Sequence, residues 1–259
     1  MDLGLNGRKA LVCASSRGLG RACAASLAGE GVDLVINGRN AETLEATAEA
    51  LRAAHGVAVT PVVADLDVAA DRERLVAACP DADILINNNG GPPPGRFEDW
   101  DHDRWLAALE SNLLAPTLLI RALLPGMRER RFGRIVNITS AMVKTPLGPM
   151  GLSTTARAGL TALCKSLSRE VAADNVTLNN LLPERIDTDR QEQMARLASK
   201  IRGISYDEAR AEQVRSIAAQ RLGRPEELGD ACAFLCSAQA GFISGQNLQI
   251  DGGSYAGLI

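Results

Sequence analysis

The sequence is poor in aromatic residues and has no excess of positive charge. Only 3% of its 259 residues are aromatic while 46% are hydrophobic, so its core must consist of aliphatic and small side chains. Such a core is expected where helices pack closely on a parallel sheet. The formal net charge of -3 provides no basic surface of the kind that binds nucleic acid, so we expect no nucleic-acid partner.

Long apolar runs and ordered cysteine spacings are also missing. The first residues, MDLGLNGRKA, contain no apolar stretch of the signal-peptide type, and no uninterrupted apolar run approaches a membrane span. The cysteines lack CxxC spacing and no histidine lies near the closest pair, which predicts buried thiols rather than disulfides or a metal site. They are Cys13, Cys23, Cys79, Cys164, Cys232 and Cys236. We therefore expect a soluble, cytoplasmic protein without bound metal.

Short apolar segments alternate with longer amphipathic ones along most of the chain. Strands are predicted at 9–14, 32–37, 57–65, 83–88, 133–139 and 176–182. Helices are predicted at 19–28, 41–54, 71–78, 104–124, 152–172 and 225–237. The alternation predicts an α/β fold, with one Rossmann-type, doubly wound parallel sheet of about seven strands and helices on both faces. Pro61 inside the third strand predicts that this strand lies at a sheet edge.

One segment departs from this alternation. Residues 187–220 are charged, helical in propensity and poor in large apolar side chains. No linker, repeat or low-complexity tract separates them from the rest. We therefore expect residues 1–259 to form a single domain, with a helical excursion near 187–220.

A glycine-containing turn follows the first predicted strand and leads into a helix. Gly18 and Gly20 in this turn allow the backbone to approach a pyrophosphate, and the helix N-terminus offers free N–H groups to it. A purely structural turn is the alternative. The position of the turn within a βαβ unit favours dinucleotide binding.

The end of the second strand bears on the choice of cofactor. NAD-selective sites place a carboxylate there for the ribose 2′-hydroxyl, but this chain has Asn37, Gly38 and Arg39. Arg39, with Arg17 in the turn, suits a 2′-phosphate. Unless both arginines are merely solvated, NADP(H) is favoured over NAD(H).

Seven short motifs occur in a characteristic order. They lie at 13–20, 65–66, 87–90, 112, 133–140, 183–188, and 242–246 with 251–253. In this order they resemble the short-chain dehydrogenase/reductase family, and its 3-oxoacyl-(acyl-carrier-protein) reductases in particular, over essentially the full length. The chain departs from the family motifs at Cys13 (threonine), Ala14 (glycine), Asn89 (alanine) and Glu184 (glycine).

The resemblance implies a function and a set of site residues. It implies hydride transfer between the cofactor and a small carbonyl substrate or secondary alcohol, of 3-oxoacyl or another ketone type. Asn112 and Ser140 match the family's active-site asparagine and serine. It also implies a homotetramer or homodimer joined partly through the helices at 104–124 and 152–172, with the excursion covering the substrate pocket. The implied cofactor contacts are Ser16, Arg17, Gly18, Leu19, Gly20, Arg39, Asp65, Leu66, Asn88, Asn89, Gly90, Arg157, Pro183, Ile186 and Thr188.

The family's catalytic YxxxK pair is replaced by Ser153 and Arg157. Reduction of a ketone needs a proton for the developing alkoxide, and in the family the tyrosine supplies it, with its pKa lowered by the lysine and the cofactor. A serine hydroxyl is shorter and far less acidic. Arg157 keeps the positive charge and is a candidate to bind the nicotinamide ribose, but it does not readily deprotonate.

Substitutes for the missing tyrosine are few. Tyr206 in the excursion and Lys144 after Ser140 are candidates, although an exposed role is favoured for each. We assign no catalytic role to His55 or His102, which sit in polar segments.

Two functions remain open. The first is an NADP(H)-dependent oxidoreductase in which Ser140 orients the carbonyl, Arg157 holds the ribose, and Ser153 or a water bound to it passes the proton. The second is a catalytically impaired NADP(H)-binding protein that acts as a regulatory or partner subunit. The retained Ser140 and Asn112 favour the first, and the loss of YxxxK favours the second.

Overall fold

A parallel sheet of seven strands runs through the computed structural model, which describes residues 1–258. The strand order is β3-β2-β1-β4-β5-β6-β7, and every neighbouring pair is parallel. The strands are β1 Lys9–Val12, β2 Asp33–Gly38, β3 Val59–Val63, β4 Ile84–Asn87, β5 Gly133–Ile138, β6 Val176–Pro183 and β7 Asn247–Ile250. The predicted doubly wound sheet is confirmed. Strand β3 lies at an edge, as Pro61 indicated, whereas the seventh strand had not been located from the sequence.

Helices cover both faces of this sheet. They are α1 Gly18–Gly29, α2 Ala41–His55, α3 Ala69–Ala78, α4 His102–Leu109, α5 Ala115–Glu129, α6 Gly151–Val171, α7 Asp189–Arg202, α8 Tyr206–Arg215 and α9 Pro225–Cys236. Helices α1, α2 and α9 pack on one face through side chains such as Leu27, Leu51 and Leu228. Helices α3, α5 and α6 pack on the other through Leu75, Leu119 and Cys164. The cysteines are free and buried, as predicted.

The helix predicted at 104–124 is interrupted in the structure. Helix α4 ends at Leu109, a π-helical turn follows over Glu110–Leu114, and α5 continues from Ala115. A π turn inserts one extra residue and changes the direction in which the side chains point. Residues 104–124 are helical, as apolar periodicity predicts, but the periodicity gives no sign of the π turn within the stretch. Asn112, the predicted active-site asparagine, lies within it and is only 4% exposed.

This helical stretch is also the most apolar in the chain. Residues His102–Glu129 are long and apolar enough to cross a membrane by length and composition alone. Leu119, Ile120, Leu123 and Met127 of α5 are, however, at most 2% exposed and belong to the core beneath the sheet. The stretch therefore packs as a core element of this fold.

A row of asparagines crosses four strands near the carboxyl end of the sheet. Asn87, Asn137, Asn180 and Asn247 are direct partners in the strand register. The Nδ2 of each donates to the Oδ1 of the next, at 2.9 Å, 2.9 Å and 2.8 Å along the row. A one-residue slip of any strand would leave buried amides unpaired, so the row helps to fix the register of β4 to β7.

The excursion forms a helical pair beside the carboxyl end of the sheet. Arg202 on α7 pairs with Glu212 on α8, and Gln213 Nε2 donates to the carbonyl of Gln191 at 3.0 Å. Asp187 at the start of the excursion pairs with Arg210 at 2.6 Å. These polar contacts hold α7 and α8 together although few large apolar residues are present.

Candidate active site

A cleft of about 950 Å³ opens at the carboxyl ends of the strands. It lies where the strand order reverses between β1 and β4, the usual ligand position in doubly wound sheets. Helix α7 borders it through Gln191 and Met194. Most of the predicted site residues line it: Ser16, Arg17, Gly18, Leu19, Arg39, Asp65, Leu66, Asn88, Asn89, Gly90, Ser140, Ser153, Arg157, Pro183, Ile186 and Thr188.

The turn after β1 forms a cradle for an anion. Gly18 has a φ of +57°, and a Cβ on Gly20 would lie 2.4 Å from the carbonyl oxygen of Ala14. Gly20 therefore does not line the cleft but allows the turn to sit tightly on α1. No side chain caps the N-terminus of α1, so its first N–H groups are available to a phosphate. The geometry fits a dinucleotide pyrophosphate.

Arg17 and Arg39 border the same end of the cleft. Their side chains are 69% and 79% exposed. Arg17 pairs with Asp189 at 3.3 Å, and Arg39 lies 3.9 Å from Asp65. Exposed pairs of this kind are weak and readily exchange partners. Both guanidinium groups can therefore reach an anionic ligand.

Ser140 and Asn112 lie at the other end, beyond β4 and β5. Ser140 Oγ accepts from the backbone N–H of Met142 at 3.2 Å, which leaves its O–H free to donate. Asn112 Nδ2 donates to the carbonyl of Gly90 at 3.4 Å and borders a small cavity of about 20 Å³, which Asn87 and Arg157 also line. Asn87 Oδ1 is buried there without a partner among residues 1–258. The cavity is large enough for one water molecule.

Ser153 and Arg157 lie one helical turn apart on α6 and contact each other. Arg157 Nε donates to Ser153 Oγ at 3.1 Å. Its Nη1 donates to the carbonyls of Ile138 and Thr139 at 2.7 Å and 2.9 Å, and its Nη2 donates to that of Asn89 at 3.3 Å. Burial, with Arg190 nearby, lowers the pKa of Arg157 to about 10, so it stays charged at neutral pH. The guanidinium therefore cross-links α6 to the ends of β4 and β5.

Comparison with known proteins agrees with this geometry. The family described as enoyl-(acyl carrier protein) reductase matches residues 13–255. The chain belongs to the short-chain dehydrogenase/reductase family. It is 33% identical to the NADPH-dependent reductase BacG of Bacillus subtilis, over 95% of this chain and 97% of the relative. It is 32% identical to the 3-oxoacyl-(acyl-carrier-protein) reductase FabG of Escherichia coli, over 98% and 99%.

A solved structure of the family shows the same architecture. The L-sorbose reductase of Gluconobacter frateurii, in complex with NADPH and L-sorbose, superimposes with a TM-score of 0.95 at 30% identity, over 100% of both chains. The resemblance read from the motifs is thus confirmed for family and fold. The BacG relative is named as NADPH-dependent, and the L-sorbose reductase structure holds NADPH.

The other proton donors considered from the sequence lie elsewhere in this family member. The Cζ of the Arg196 guanidinium lies over the Tyr206 ring, 4.9 Å from the centre of the ring. Lys144 Nζ donates to Gln249 Oε1 at 3.2 Å and lies 5.1 Å from the centre of the Tyr255 ring. His55 and His102 are exposed. Within the part of the chain that the structure describes, neither the two candidates, Tyr206 and Lys144, nor the two histidines line the cleft.

Glu184, which replaces the family's glycine in the motif at 183–188, lines the cleft. Glu184 follows directly after β6, and its side chain is only 20% exposed. Burial raises the pKa of its carboxyl above the usual value, while Arg185 opposes the rise and Asp251 adds to it. In the sequence, the only sign of this residue is that an acid replaces the family's glycine. Such a departure from the motif does not reveal the position or the burial of the side chain.

Proposed function

We propose that this chain is an NADP(H)-dependent oxidoreductase that transfers hydride between the cofactor and a carbonyl or secondary alcohol through an atypical active site. One observation carries the proposal. The anion cradle around Gly18 and the hydroxyl of Ser140 open onto the same cleft, so a cofactor on the first lies beside a substrate on the second. The retained asparagine, Asn112, borders the cavity directly behind it.

The cofactor proposal rests on charge. Arg17 and Arg39 border the cleft, and no acid occupies positions 37–39. Their guanidinium groups would hold a 2′-phosphate, while the turn at residues 16–20 would hold the pyrophosphate. Asp65 and Leu66 after β3 are proposed to contact the adenine. Asn88, Asn89, Gly90, Pro183, Ile186 and Thr188 are proposed to border the nicotinamide half.

Replacement of Arg39 tests this assignment. Arg39→Ala removes one charge-assisted hydrogen bond to the 2′-phosphate, so NADPH affinity should fall about tenfold while NADH affinity changes little. Fluorescence titration of both cofactors gives the two dissociation constants. A preference for NADPH that survives the substitution would contradict the charge argument.

The proposed chemistry places each side chain at one atom of the substrate. Bound NADPH supplies the hydride. Ser140 donates its O–H to the substrate carbonyl and holds it in position. Ser153 Oγ already accepts from Arg157, so its own O–H is left to donate to the carbonyl or to a water. Neither serine is acidic enough to be the principal proton source.

A second candidate function is a cofactor-binding regulatory or partner subunit with little turnover. The observation in its favour is that Ser153 and Arg157 replace tyrosine and lysine, and that Arg157 bonds to the protein framework. The two functions differ in a single measurable property, which is turnover in the presence of bound NADPH.

A substrate panel separates them. Purified protein is mixed with NADPH and with 3-oxoacyl thioesters, ketones, diketones, quinones and ketoses, and the loss of reduced nicotinamide is followed by absorbance. The enzyme function requires substrate-dependent oxidation of NADPH with at least one class. Measurable NADPH binding without any oxidation above background would refute it and favour the partner subunit.

We also propose the cellular context from the family relationship. The protein would be a soluble, cytoplasmic homotetramer or homodimer, with residues 1–259 as one domain and α7 and α8 covering the substrate side. Leu106 on α4 and Leu114 in the π turn are 51% and 44% exposed, as an interface through these helices requires. Light scattering coupled to gel filtration measures the assembly, and a monomer at micromolar concentration would contradict it.

A further inference from the structure

The cleft lacks the usual proton donors of carbonyl reduction. Among residues 1–258, no tyrosine, histidine, lysine or cysteine lines it. Its carboxyl groups belong to Asp65, Glu184 and Asp189. A reduction in this cleft that uses a carboxyl as its acid must therefore use one of these three.

Two of the three are poorly placed for that role. Asp65 follows β3 and faces Arg39, at the end of the cleft assigned to the adenosine half of the cofactor. Asp189 begins α7, is 63% exposed and faces Arg17 in the phosphate turn. Both carboxyl groups face arginines, and Asp65 is separated from β5 and Ser140 by β2, β1 and β4 in the strand order.

Glu184 is placed beside the reacting end. Strands β5 and β6 are neighbours with Ile138 opposite Leu181, and the N–H of Thr139 donates to the carbonyl of Leu181 at 2.8 Å. Two residues further along each strand come Ser140 and Pro183, so Glu184 follows the position opposite the serine. Adjacent strands lie about 4.8 Å apart, so the backbones of the two residues lie close together at the same edge of the sheet, and both residues line the cleft.

The backbone of Glu184 is held firmly, and its carboxyl is sheltered. Its N–H donates to the carbonyl of Ile250 on β7 at 3.0 Å. Arg185 Nε lies 3.4 Å from Oε1, and Asp251 is the acidic neighbour after β7. Lys144, from the loop after β5, is engaged by Gln249 instead. The acidic neighbour and the burial both favour the protonated form of the carboxyl, and Arg185 alone opposes it.

We infer that Glu184 is the proton donor of this reductase and takes over the role of the missing tyrosine. The inference rests on the proposed oxidoreductase function. In the step, hydride from NADPH forms the new C–H bond as the carbonyl π bond breaks. The oxygen takes the proton of the Glu184 carboxyl, and NADP⁺ and the glutamate carboxylate remain. Solvent reprotonates the carboxylate, and in alcohol oxidation the same carboxylate accepts the proton.

The test uses Glu184→Gln, which keeps size and hydrogen bonding but cannot supply the proton. With the best carbonyl substrate from the panel, its kcat should fall by about 100-fold or more, while NADPH affinity stays within about twofold. The reduction rate of the wild-type protein should decline as pH rises through the raised pKa of Glu184, because only the protonated carboxyl donates. The variant should lose that pH limb. Glu192→Gln, an exposed α7 carboxyl outside the cleft, is the matched control and should behave as wild type.

The possible results distinguish the role of Glu184 from the proposed oxidoreductase function. If the wild type turns over and Glu184→Gln keeps its kcat and pH profile, the role of Glu184 is refuted and the oxidoreductase function stands. If the wild type binds NADPH but oxidises it with no substrate, the function is refuted and the inference falls with it. If Glu184→Gln does not fold, Glu184→Asp decides: a lower kcat with the pH limb retained supports the inference, and a wild-type kcat refutes it.

Discussion

Replacement of Arg157 by methionine distinguishes a framework role from a cofactor role. The family resemblance assigned this residue to the nicotinamide ribose. In the structure, four of its five guanidinium N–H groups donate to Asn89, Ile138, Thr139 and Ser153. Methionine has similar length and volume but no donor, so Arg157→Met removes these bonds without leaving a large cavity.

The loss of stability depends on the hydrogen-bond acceptors that Arg157→Met leaves without a donor. Three backbone carbonyls lose a donor in a partly buried region, at about 1–2 kcal/mol each, or about 3–6 kcal/mol together. Removal of a buried charge returns about 1–3 kcal/mol, because the desolvated guanidinium no longer has to be accommodated. We expect a net loss of about 2–3 kcal/mol in the free energy of unfolding, which lowers the Tm by about 4–12 °C in a chain of this size.

The assay is thermal unfolding by circular dichroism without cofactor, together with NADPH titration. Arg190→Met is the matched control, since Arg190 also borders the cleft but is exposed and donates only to the carbonyl of Pro92. Its Tm should stay close to that of wild type. An Arg157→Met variant with the wild-type Tm and sharply weaker NADPH binding would refute the framework role and restore the ribose assignment.

Two further predictions concern stability. Ala14 has a φ of +44°, a backbone conformation that glycine adopts more easily than alanine, so Ala14→Gly should stabilise the fold by up to about 1 kcal/mol. The control, Ala50→Gly on the exposed face of α2, should cost about 1 kcal/mol. A loss of stability at both positions in urea unfolding would contradict the strain at Ala14. Asn137→Leu leaves Asn87 Nδ2 without its acceptor and Asn180 Oδ1 without its donor, and it should cost about 2–5 kcal/mol in the same assay. Asn247→Leu, in the edge strand, removes only the acceptor of Asn180 Nδ2 and should cost about 1–2 kcal/mol; equal small losses would show that the row contributes little to stability.

Much of the fold could be predicted because its signals are local. Apolar strands alternate with amphipathic helices, and Pro61 marked the edge strand through a missing backbone donor. Gly18 and Gly20 marked the phosphate turn because a side chain at position 20 would collide with Ala14. These signals require only the residue types and their spacing.

The remainder depends on contacts between distant segments. The π turn at Asn112 adds one residue to a helical stretch, and apolar periodicity does not register one extra residue. The asparagine row is visible only once the strand register is known, since Asn87 and Asn247 are far apart in the sequence. The four bonds of Arg157 likewise join three segments. For the same reason the resemblance could place the segment with Glu184 beside the cofactor but could not show that its carboxyl is mostly buried next to Arg185 and Asp251.

The substitutions at the active site form one rearrangement rather than a simple loss. A decayed site would leave donors and acceptors unpaired at the positions where the family has tyrosine and lysine. Arg157 instead donates to four partners. One of them is the hydroxyl of Ser153, a short side chain that places an acceptor within reach of the Arg157 Nε one turn away. A phenol at 153 would carry its oxygen past that position, so arginine at 157 and serine at 153 suit each other. In the proposed enzyme, the proton donor missing from α6 has a counterpart after β6, where Glu184 stands in place of the family's glycine and lines the same cleft as Ser140. We therefore propose that the cleft is a site with a relocated acid rather than one without any.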